Sequence, residues 1–266
     1  MQKTKLVQIK KVTKHIVNWL ENYAKKSNTE GFVIGVSGGI DSAVTSLLAA
    51  KTNLPLLCVE MPIHQNKTQI DRSSKHIDWL KNKYKNVNSI ETDLTPVFDA
   101  FILRMPKGKN AERQELSLIN TRARFRMTTL YYFAQLNNYL VVGTGNKVED
   151  FGIGFFTKYG DGGVDISPIA DLSKTEVFAI GKQQNIIEEI LSASPTDGLW
   201  NDDRTDEEQI GATYPELEWA MEQENPEKDL SKRETEVLAI YTTLRKINLH
   251  KMKEIPVCYI PEKLKL

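Results

Sequence analysis

The sequence predicts an α/β fold, a doubly wound and Rossmann-like parallel sheet with flanking helices. Short apolar runs alternate with helical patterns through residue 142, as parallel strands joined by crossover helices do. The run Leu54–Met61 is nearly all apolar, which is typical of a strand covered on both faces. A glycine turn at Gly35–Ser42 joins one apolar run to a helical pattern. In such folds the ligand lies at the carboxyl ends of the strands.

The elements follow one another in a regular order. Apolar residues at three- and four-residue steps from Leu6 to Tyr23 predict a first amphipathic helix. Strands are predicted at Phe32–Val36, Leu54–Met61, Val87–Glu91 and Tyr139–Val142. Helices are predicted over Lys67–Tyr84, from Thr95, along Leu116–Ala134, from a capping box at Ser173–Glu176, and around Leu217–Trp219 and Val237–Leu244, with a loop at Ser192–Asp206. No linker or internal repeat is visible, so residues 1–266 are expected to form a single domain.

The charge balance argues against a general nucleic-acid binder. Lys and Arg number 35, as do Asp and Glu, so the formal net charge is +0, whereas a nucleic-acid binder carries a dominant basic face. No signal peptide and no apolar run of membrane-spanning length is visible. The expected location is therefore the cytoplasm, with no membrane partner.

Cysteine and histidine positions predict structural rather than metal-binding roles. Cys58 lies in an apolar run and is expected to be a buried small hydrophobe, and no Cys-x-x-Cys pair is present. His15, His64 and His76 lack the spacing of ligands and are expected at the surface.

The glycine turn predicts a phosphate site. Its residues are Gly35, Val36, Ser37, Gly38, Gly39, Ile40, Asp41 and Ser42. Glycines let the backbone approach a ligand, and the free N–H groups, the two serine hydroxyls and the positive end of the following helix then face one point. Because Asp41 would repel phosphate, a bridging cation such as Mg²⁺ is expected beside it.

Two further clusters follow the fourth strand. Glu149 ends the run Gly143–Glu149 on the same edge of the sheet as the glycine turn, so it is either a second metal carboxylate or a solvated residue of a polar turn. The run Gly154–Asp165 places three glycines around Asp161 and aromatic residues beside Lys158. These residues alone leave open whether this run is a binding loop or merely irregular.

The motifs resemble a known family. Ser-Gly-Gly-Ile-Asp-Ser at Ser37–Ser42 resembles the loop of ATP pyrophosphatases, and the two better-known phosphate loops are absent. Gly-Thr-Gly-Asn-Lys-Val-Glu at Gly143–Glu149 and Gly-Phe-Phe-Thr-Lys-Tyr-Gly-Asp-Gly-Gly-Val-Asp at Gly154–Asp165 resemble the ammonia-dependent NAD synthetases. The resemblance extends from the first helix to about Lys251.

The resemblance implies a fold of the adenine-nucleotide α-hydrolase type, a homodimer, and amidation of deamido-NAD by ammonia with ATP and Mg²⁺. An exposed apolar stripe for the dimer partner is expected on the long helix at Leu116, Ile119, Met127 and Leu130. It implies ATP contacts at Gly35–Ser42, Thr144, Lys174 and Thr196, and magnesium ligands at Asp41 and Glu149. It also implies deamido-NAD contacts at Arg124, Lys158, Asp165, His250 and Lys251, and a carboxylate near ammonia at Asp161. Asp41 and Asp161 are the expected catalytic residues.

For some of these residues an ordinary structural role is the alternative to ligand binding. Lys174 is unfavourable for the helix dipole at its position, which favours a ligand role, whereas Thr196 fits an ordinary turn. On a helix Arg122 and Arg126 share a face and Arg124 points away, so only part of this trio can meet one ligand. After Lys251 the sequence departs from the family pattern, which weakens the assignment of His250 and Lys251.

Three alternatives remain at this stage. A GMP synthetase-type enzyme and a tRNA-modifying enzyme share the first loop, and a nucleotide-sensing module without catalysis would share the fold. Neither cysteine lies in a nucleophile setting and no glutaminase is visible, so ammonia is the expected nitrogen source.

Overall fold

The computed structural model describes residues 2–196, 205–223 and 229–265, and the side chains of these from residue 8 onward. The predicted loop Ser192–Asp206 lies partly outside the described residues. The four strands are β1 (Gly31–Gly35), β2 (Leu56–Glu60), β3 (Val87–Glu91) and β4 (Tyr139–Val141). They form one parallel sheet in the order β3-β2-β1-β4. The predicted fold class is confirmed.

The chain changes direction across the sheet between β1 and β4. β2 and β3 lie on one side of β1, and β4 pairs with its other side, with Val33 opposite Val141. The helix that follows β1 packs on one face of the sheet, and the long helix that leads into β4 packs on the other face. The loops after these two strands separate and leave a crevice at their carboxyl ends, where doubly wound folds bind ligands.

The helices of the described residues cover both faces of the sheet. They are α1 (Gln2–Ser27), α2 (Ile40–Ala50), α3 (Lys67–Lys83), α4 (Thr95–Ile102), α5 (Ala111–Asn137), α6 (Lys174–Gln183), α7 (Glu188–Leu191), α8 (Asp206–Ile210), α9 (Tyr214–Met221) and α10 (Lys232–Met252). A π-helix spans Lys147–Ile153, and a short 3₁₀ helix spans Glu262–Leu264. No helix among the described residues is long and apolar enough to cross a membrane.

Alternate residues of β1 enter two different cores, as the two-residue period of a strand requires. Phe32 and Ile34 pack with α1, α2 and α6, whereas Val33 packs on the other face with α4 and α5. A third cluster joins the π-helix to α9 and α10 through Val148 and Leu217. This last cluster fixes the segment that follows β4.

The apolar side of α5 is used differently from the sequence-based expectation. An exposed stripe of Leu116, Ile119, Met127 and Leu130 was expected to remain for a dimer partner. Ile119 is instead buried, and Leu130 packs on the core cluster beneath α5. Leu130 therefore covers part of the second face of the sheet, which the sequence does not reveal. The exposed apolar residues of α5 are Leu116, Tyr132 and Leu136.

His76 is buried, so its expected surface position is wrong. Its Nε2 lies 3.0 Å from the hydroxyl of Ser46 on α2, and its ring stacks on Trp79. Burial lowers the pKa of His76 to about 4, against a backbone hydrogen bond at Ala43 that raises it. Cys58 is buried as expected, and burial raises its pKa to about 12.

Candidate active site

A cavity of about 280 Å³ lies at the carboxyl ends of the strands. It is formed by the loops after β1, β2 and β4 together with residues of α5 and α6. The predicted site residues that line it are Gly35–Ser42, Thr144, Glu149, Asp161, Lys174 and Thr196. The structure therefore gathers in one space all eleven residues predicted for ATP and the three acids predicted for metal binding or catalysis.

The glycine turn is a closed loop, and Gly38 is required by its packing. Gly38 has φ +80°, and a Cβ there would lie 2.9 Å from the Gln69 carbonyl of α3. Only glycine adopts this conformation at little cost and allows α3 so close. The Ser42 hydroxyl donates to the Gly39 carbonyl at 3.0 Å and accepts the Ser37 N–H at 3.2 Å. The serine hydroxyls thus hold the loop itself, besides facing the cavity.

Two carboxylates from distant segments meet on one lysine. Lys174 Nζ lies 2.5 Å from Asp41 Oδ2 and 2.8 Å from Glu149 Oε1. The lysine side chain is only 4% exposed. The Tyr214 hydroxyl of α9 donates to Glu149 Oε1 at 2.6 Å, and Lys174 lies over the tyrosine ring. A lysine unfavourable for its helix is therefore stabilised by two acids beside the phosphate loop.

The pKa values of Asp41 and Glu149 are shifted in opposite directions. Burial raises the pKa of Asp41 and the Lys174 charge opposes this only in part. For Glu149 burial also raises the pKa, but the charge of Lys174 and hydrogen bonds from Lys174 and Tyr214 together lower it. Burial and the nearby acids raise the pKa of Tyr214, which keeps its hydroxyl a donor. Glu149 is thus held as a carboxylate inside the cavity.

This donor set fits a cation that arrives with phosphate. Within the described ranges no group of three His, Cys, Asp or Glu side chains is arranged to hold a metal. Mg²⁺ is commonly bound by one or two carboxylates, with phosphate oxygens and water completing its shell. Asp41 and Glu149 supply two such oxygen ligands and share one lysine, so the residues present fit Mg²⁺ bound with a nucleotide.

The π-helix places two neighbouring acids in the cavity. At its start the side chain of Asn146 accepts from the backbone N–H groups of Val148 and Glu149, and donates to Asp41 Oδ1 at 3.3 Å. Both Glu149 and Asp150 then line the cavity. Burial, and next the Asp161 charge, raise the pKa of Asp150 well above its usual range. Sequence reasoning missed Asp150 because no local pattern predicts a π-helix.

Asp161 lines the same cavity from the glycine-rich loop. Its Oδ1 accepts the Thr157 N–H at 2.9 Å, which orients the carboxylate. It is open to the cavity but surrounded by protein, and burial raises its pKa while backbone hydrogen bonds and the Lys251 charge oppose that rise. A raised pKa makes the carboxylate a better proton acceptor than an ordinary aspartate, which suits a group that exchanges protons with a substrate.

The residues predicted for deamido-NAD form a second group outside the cavity lining. Arg124 Nη2 donates to the Lys158 carbonyl at 3.3 Å, and Lys158 Nζ donates to the His250 carbonyl at 2.9 Å. Lys251 Nζ donates to the Phe156 carbonyl at 2.6 Å. The end of α10 is therefore joined to the glycine-rich loop, although the sequence diverges after Lys251.

Asp165 is bound within the fold. Its Oδ1 accepts from the Tyr131 hydroxyl at 2.9 Å, and its Oδ2 accepts from the Val141 N–H at 2.8 Å. These contacts fasten the glycine-rich loop to β4 and α5. Both carboxylate oxygens of Asp165 therefore have partners within the fold. Its predicted contact to deamido-NAD remains a prediction.

Arg126 lines the cavity and was not selected from the sequence. Its Nε donates to the Met61 carbonyl at 3.0 Å, and its Nη2 donates to Gln65 Oε1 at 2.8 Å. Arg124, on another face of α5, contacts Lys158 instead. The helical spacing had separated these two faces. The spacing does not show which of these faces of α5 lines the cavity.

The chain is similar in sequence to known proteins. The NAD synthase family model matches residues 12–255. The chain is 39% identical to the NH3-dependent NAD+ synthetase of Carboxydothermus hydrogenoformans, over 77% of this chain and 82% of that one. It is 33% identical to the enzyme of the same name from Methanosarcina acetivorans, over 94% and 98%.

The fold is similar to those of solved structures. The NMN synthetase of Francisella tularensis superimposes with a TM-score of 0.81 at 32% identity, over 96% of this chain and 98% of that one. The NH3-dependent NAD synthetase of Campylobacter jejuni gives a TM-score of 0.75 at 25% identity, over 94% and 99%.

Proposed function

The chain belongs to the NAD synthase family of carbon–nitrogen ligases, and we propose that it amidates deamido-NAD with ammonia, using ATP and Mg²⁺. The products are NAD, AMP and pyrophosphate. The observation that carries the proposal is the convergence of Asp41, Glu149 and Lys174 on the phosphate loop, with Asp161 in the same cavity. The names of the curated relatives support ammonia as nitrogen donor.

The first step is adenylation. The nicotinate carboxylate attacks the α-phosphorus of ATP, and the bond to the β-phosphate breaks, which gives an acyl adenylate and pyrophosphate. The backbone N–H groups of the Gly35–Ser42 loop and the first turn of α2 bind the departing phosphates. Asp41 and Glu149 would hold Mg²⁺, which would supply positive charge to these phosphates. Lys174 keeps both carboxylates in place.

The second step is amide formation. Only free ammonia is nucleophilic, so ammonium must first lose a proton. Asp161, with its raised pKa, positions ammonium and accepts that proton. Ammonia then attacks the acyl carbon, and AMP leaves with one oxygen of the original carboxylate. Arg124, Lys158, Asp165, His250 and Lys251 remain the proposed contacts to deamido-NAD, and Thr144 and Thr196 remain proposed contacts to ATP.

A second candidate substrate is nicotinate mononucleotide. The Francisella protein, named as an NMN synthetase, matches this chain over nearly its full length with a TM-score of 0.81. The chemistry would be unchanged, because the same pyridine carboxylate is activated and amidated. The two candidates differ only in whether the substrate carries a second nucleotide.

We also propose that residues 1–266 act as one catalytic domain, in a homodimer, in the cytoplasm. The exposed residues Tyr132 and Leu136 of α5 support a dimer contact.

The test is a rate comparison on the purified chain. Pyrophosphate release and amide product are measured with ammonium chloride or glutamine, and with deamido-NAD or nicotinate mononucleotide. The proposal expects ammonium-dependent turnover of deamido-NAD and almost none with glutamine alone. A kcat/KM that is higher for the mononucleotide would establish the second candidate. Absence of amide from either substrate would overturn both.

A further inference from the structure

Glu60 is a buried carboxylate of the cavity that the proposed chemistry does not use. It is the last residue of β2, lines the cavity and is 9% exposed. Its Oε1 accepts from the hydroxyls of Ser73 at 2.6 Å and Ser74 at 2.8 Å on α3. The backbone is fixed as well, since its carbonyl accepts the Thr92 N–H at 2.8 Å. The carboxylate is therefore rigidly held.

The hydrogen bonding of Glu60 is one-sided. Both serine donors go to Oε1, and Oε2 accepts no hydrogen bond from any described residue. No described Lys or Arg forms an ion pair with it, in contrast to Asp41 and Glu149, which share Lys174. A ligand that fills the cavity would remove water from this oxygen, and a carboxylate oxygen left there without a donor would be costly. A ligand that brings neutral donors to this oxygen would remove that cost.

The position of Glu60 relative to the phosphate loop identifies the donor. Val36, at the start of the loop, donates its N–H to the Val59 carbonyl at 3.0 Å, so Glu60 lies beside the loop in the neighbouring strand. Doubly wound folds that bind dinucleotides place an acid about 20 residues after the glycine loop, where it accepts from ribose hydroxyls. Glu60 occupies the corresponding place.

We propose that Glu60 accepts hydrogen bonds from the ribose hydroxyls of ATP and makes the enzyme selective for ribonucleotides. This inference rests on the proposed use of ATP. A carboxylate repels phosphate but accepts well from a vicinal diol, whose two hydroxyls are neutral donors. The serines of α3 orient the carboxylate and leave Oε2 for the sugar. The adenine amino group is the other neutral donor of ATP, and it serves as the alternative in the test.

The experiment compares nucleotides and variants. Values of kcat/KM are measured by pyrophosphate release with ATP, 2′-deoxy-ATP, 3′-deoxy-ATP and ITP. Wild type should use at least one deoxynucleotide about 10- to 100-fold less well than ATP, the effect of one hydrogen bond to a charged group. Glu60→Gln should reduce that ratio, and Glu60→Leu should bring it close to one. Ser74→Ala, which removes a donor to Oε1 only, should keep most of it.

Three outcomes would overturn the assignment. Wild type could use ATP and both deoxynucleotides equally well. Glu60→Gln could lose equal activity with ATP and the deoxynucleotides, which would make Glu60 structural. The variant could instead lose discrimination between ATP and ITP, which would place Glu60 on the base. If no nucleotide is turned over, the proposed function fails, but calorimetric binding of ATP against 2′- and 3′-deoxy-ATP to wild type and Glu60→Gln still decides the role of Glu60.

Discussion

Lys174 Nζ lies 2.5 Å from Asp41 Oδ2, which ties the first turn of α6 to the first turn of α2. A lysine at the start of a helix is opposed by the helix dipole. Here Asp41 and Glu149 compensate for it, and its charge in turn allows two buried acids to lie side by side. One ammonium group thus couples the loop after β1 to the π-helix after β4.

The metal assignment predicts a large effect of amide substitutions. Asp41→Asn or Glu149→Gln should lower kcat by about 100-fold or more, since each removes a charge from phosphate transfer chemistry. The magnesium concentration needed for half-maximal rate should rise with Glu149→Gln. Asp171→Asn is the matched control, because Asp171 is exposed and, among the described residues, its ion pair is with Lys147 at the start of the π-helix. Near-normal activity of Glu149→Gln at low millimolar magnesium would remove Glu149 from the site.

The assignment of Asp161 predicts that the two steps separate. Asp161→Asn should slow amide formation more than adenylation, because only the second step requires a proton acceptor for ammonium. Adenylation is followed by rapid-quench detection of pyrophosphate without ammonia, and amidation by adding ammonium to preformed adenylate. Since burial raises the pKa of Asp161, the acid limb of the amidation rate should lie above that of an ordinary aspartate. Equal loss in both steps would make Asp161 structural.

The sequence predicts those parts of the site that depend on neighbouring residues, and misses those that depend on contacts between distant segments. The phosphate loop, Asp41 and Glu149 follow strands directly, so strand order and sheet edge are enough to bring them together. Tyr214 donates to Glu149 across 65 positions of the chain, and no local pattern pairs them. Asp150 enters the cavity only because the backbone forms a π-helix.

The fold was likewise predicted where it depends on neighbouring residues and missed where it depends on distant contacts. Strands and most helices were predicted because periodicity is a property of neighbours. The burial of His76 and Ile119 was missed because it depends on which helices cover each face of the sheet. Helical spacing shows which face of a helix a residue lies on, but it does not show whether that face packs against the sheet or is exposed to solvent.

The buried His76 predicts acid sensitivity of the fold. Its pKa is about 4 in the folded protein against 6.5 for the unfolded chain, so the unfolded state binds the proton first as pH falls. Stability is complete above about pH 6.5 and is lost on acidification toward pH 4, by about 2 kcal/mol at pH 5.

Urea unfolding from pH 7.5 to 5 measures this dependence. His76→Gln should flatten the part due to histidine, whereas His15→Gln, at an exposed position, should leave the curve unchanged. Identical pH slopes for wild type and His76→Gln would contradict the interpretation.

The exposed face of α5 predicts a symmetric homodimer. Tyr132 and Leu136 are 64% and 66% exposed and lie one helical turn apart. Tyr132→Glu with Leu136→Glu should weaken association by placing charges in the contact. Sedimentation equilibrium should give a dimer for wild type at micromolar concentration and a shift toward monomer for the double variant. A monomeric wild type would refute this assignment.

The path of the carboxylate oxygen distinguishes attack on the α-phosphorus of ATP from transfer of its γ-phosphoryl group. If the carboxylate attacks the α-phosphorus and ammonia then expels AMP, deamido-NAD labelled with ¹⁸O in its carboxylate passes label to AMP. Mass spectrometry of the products should find ¹⁸O in AMP and none in pyrophosphate. Label in inorganic phosphate, with ADP as the second product, would show transfer of the γ-phosphoryl group and contradict the account.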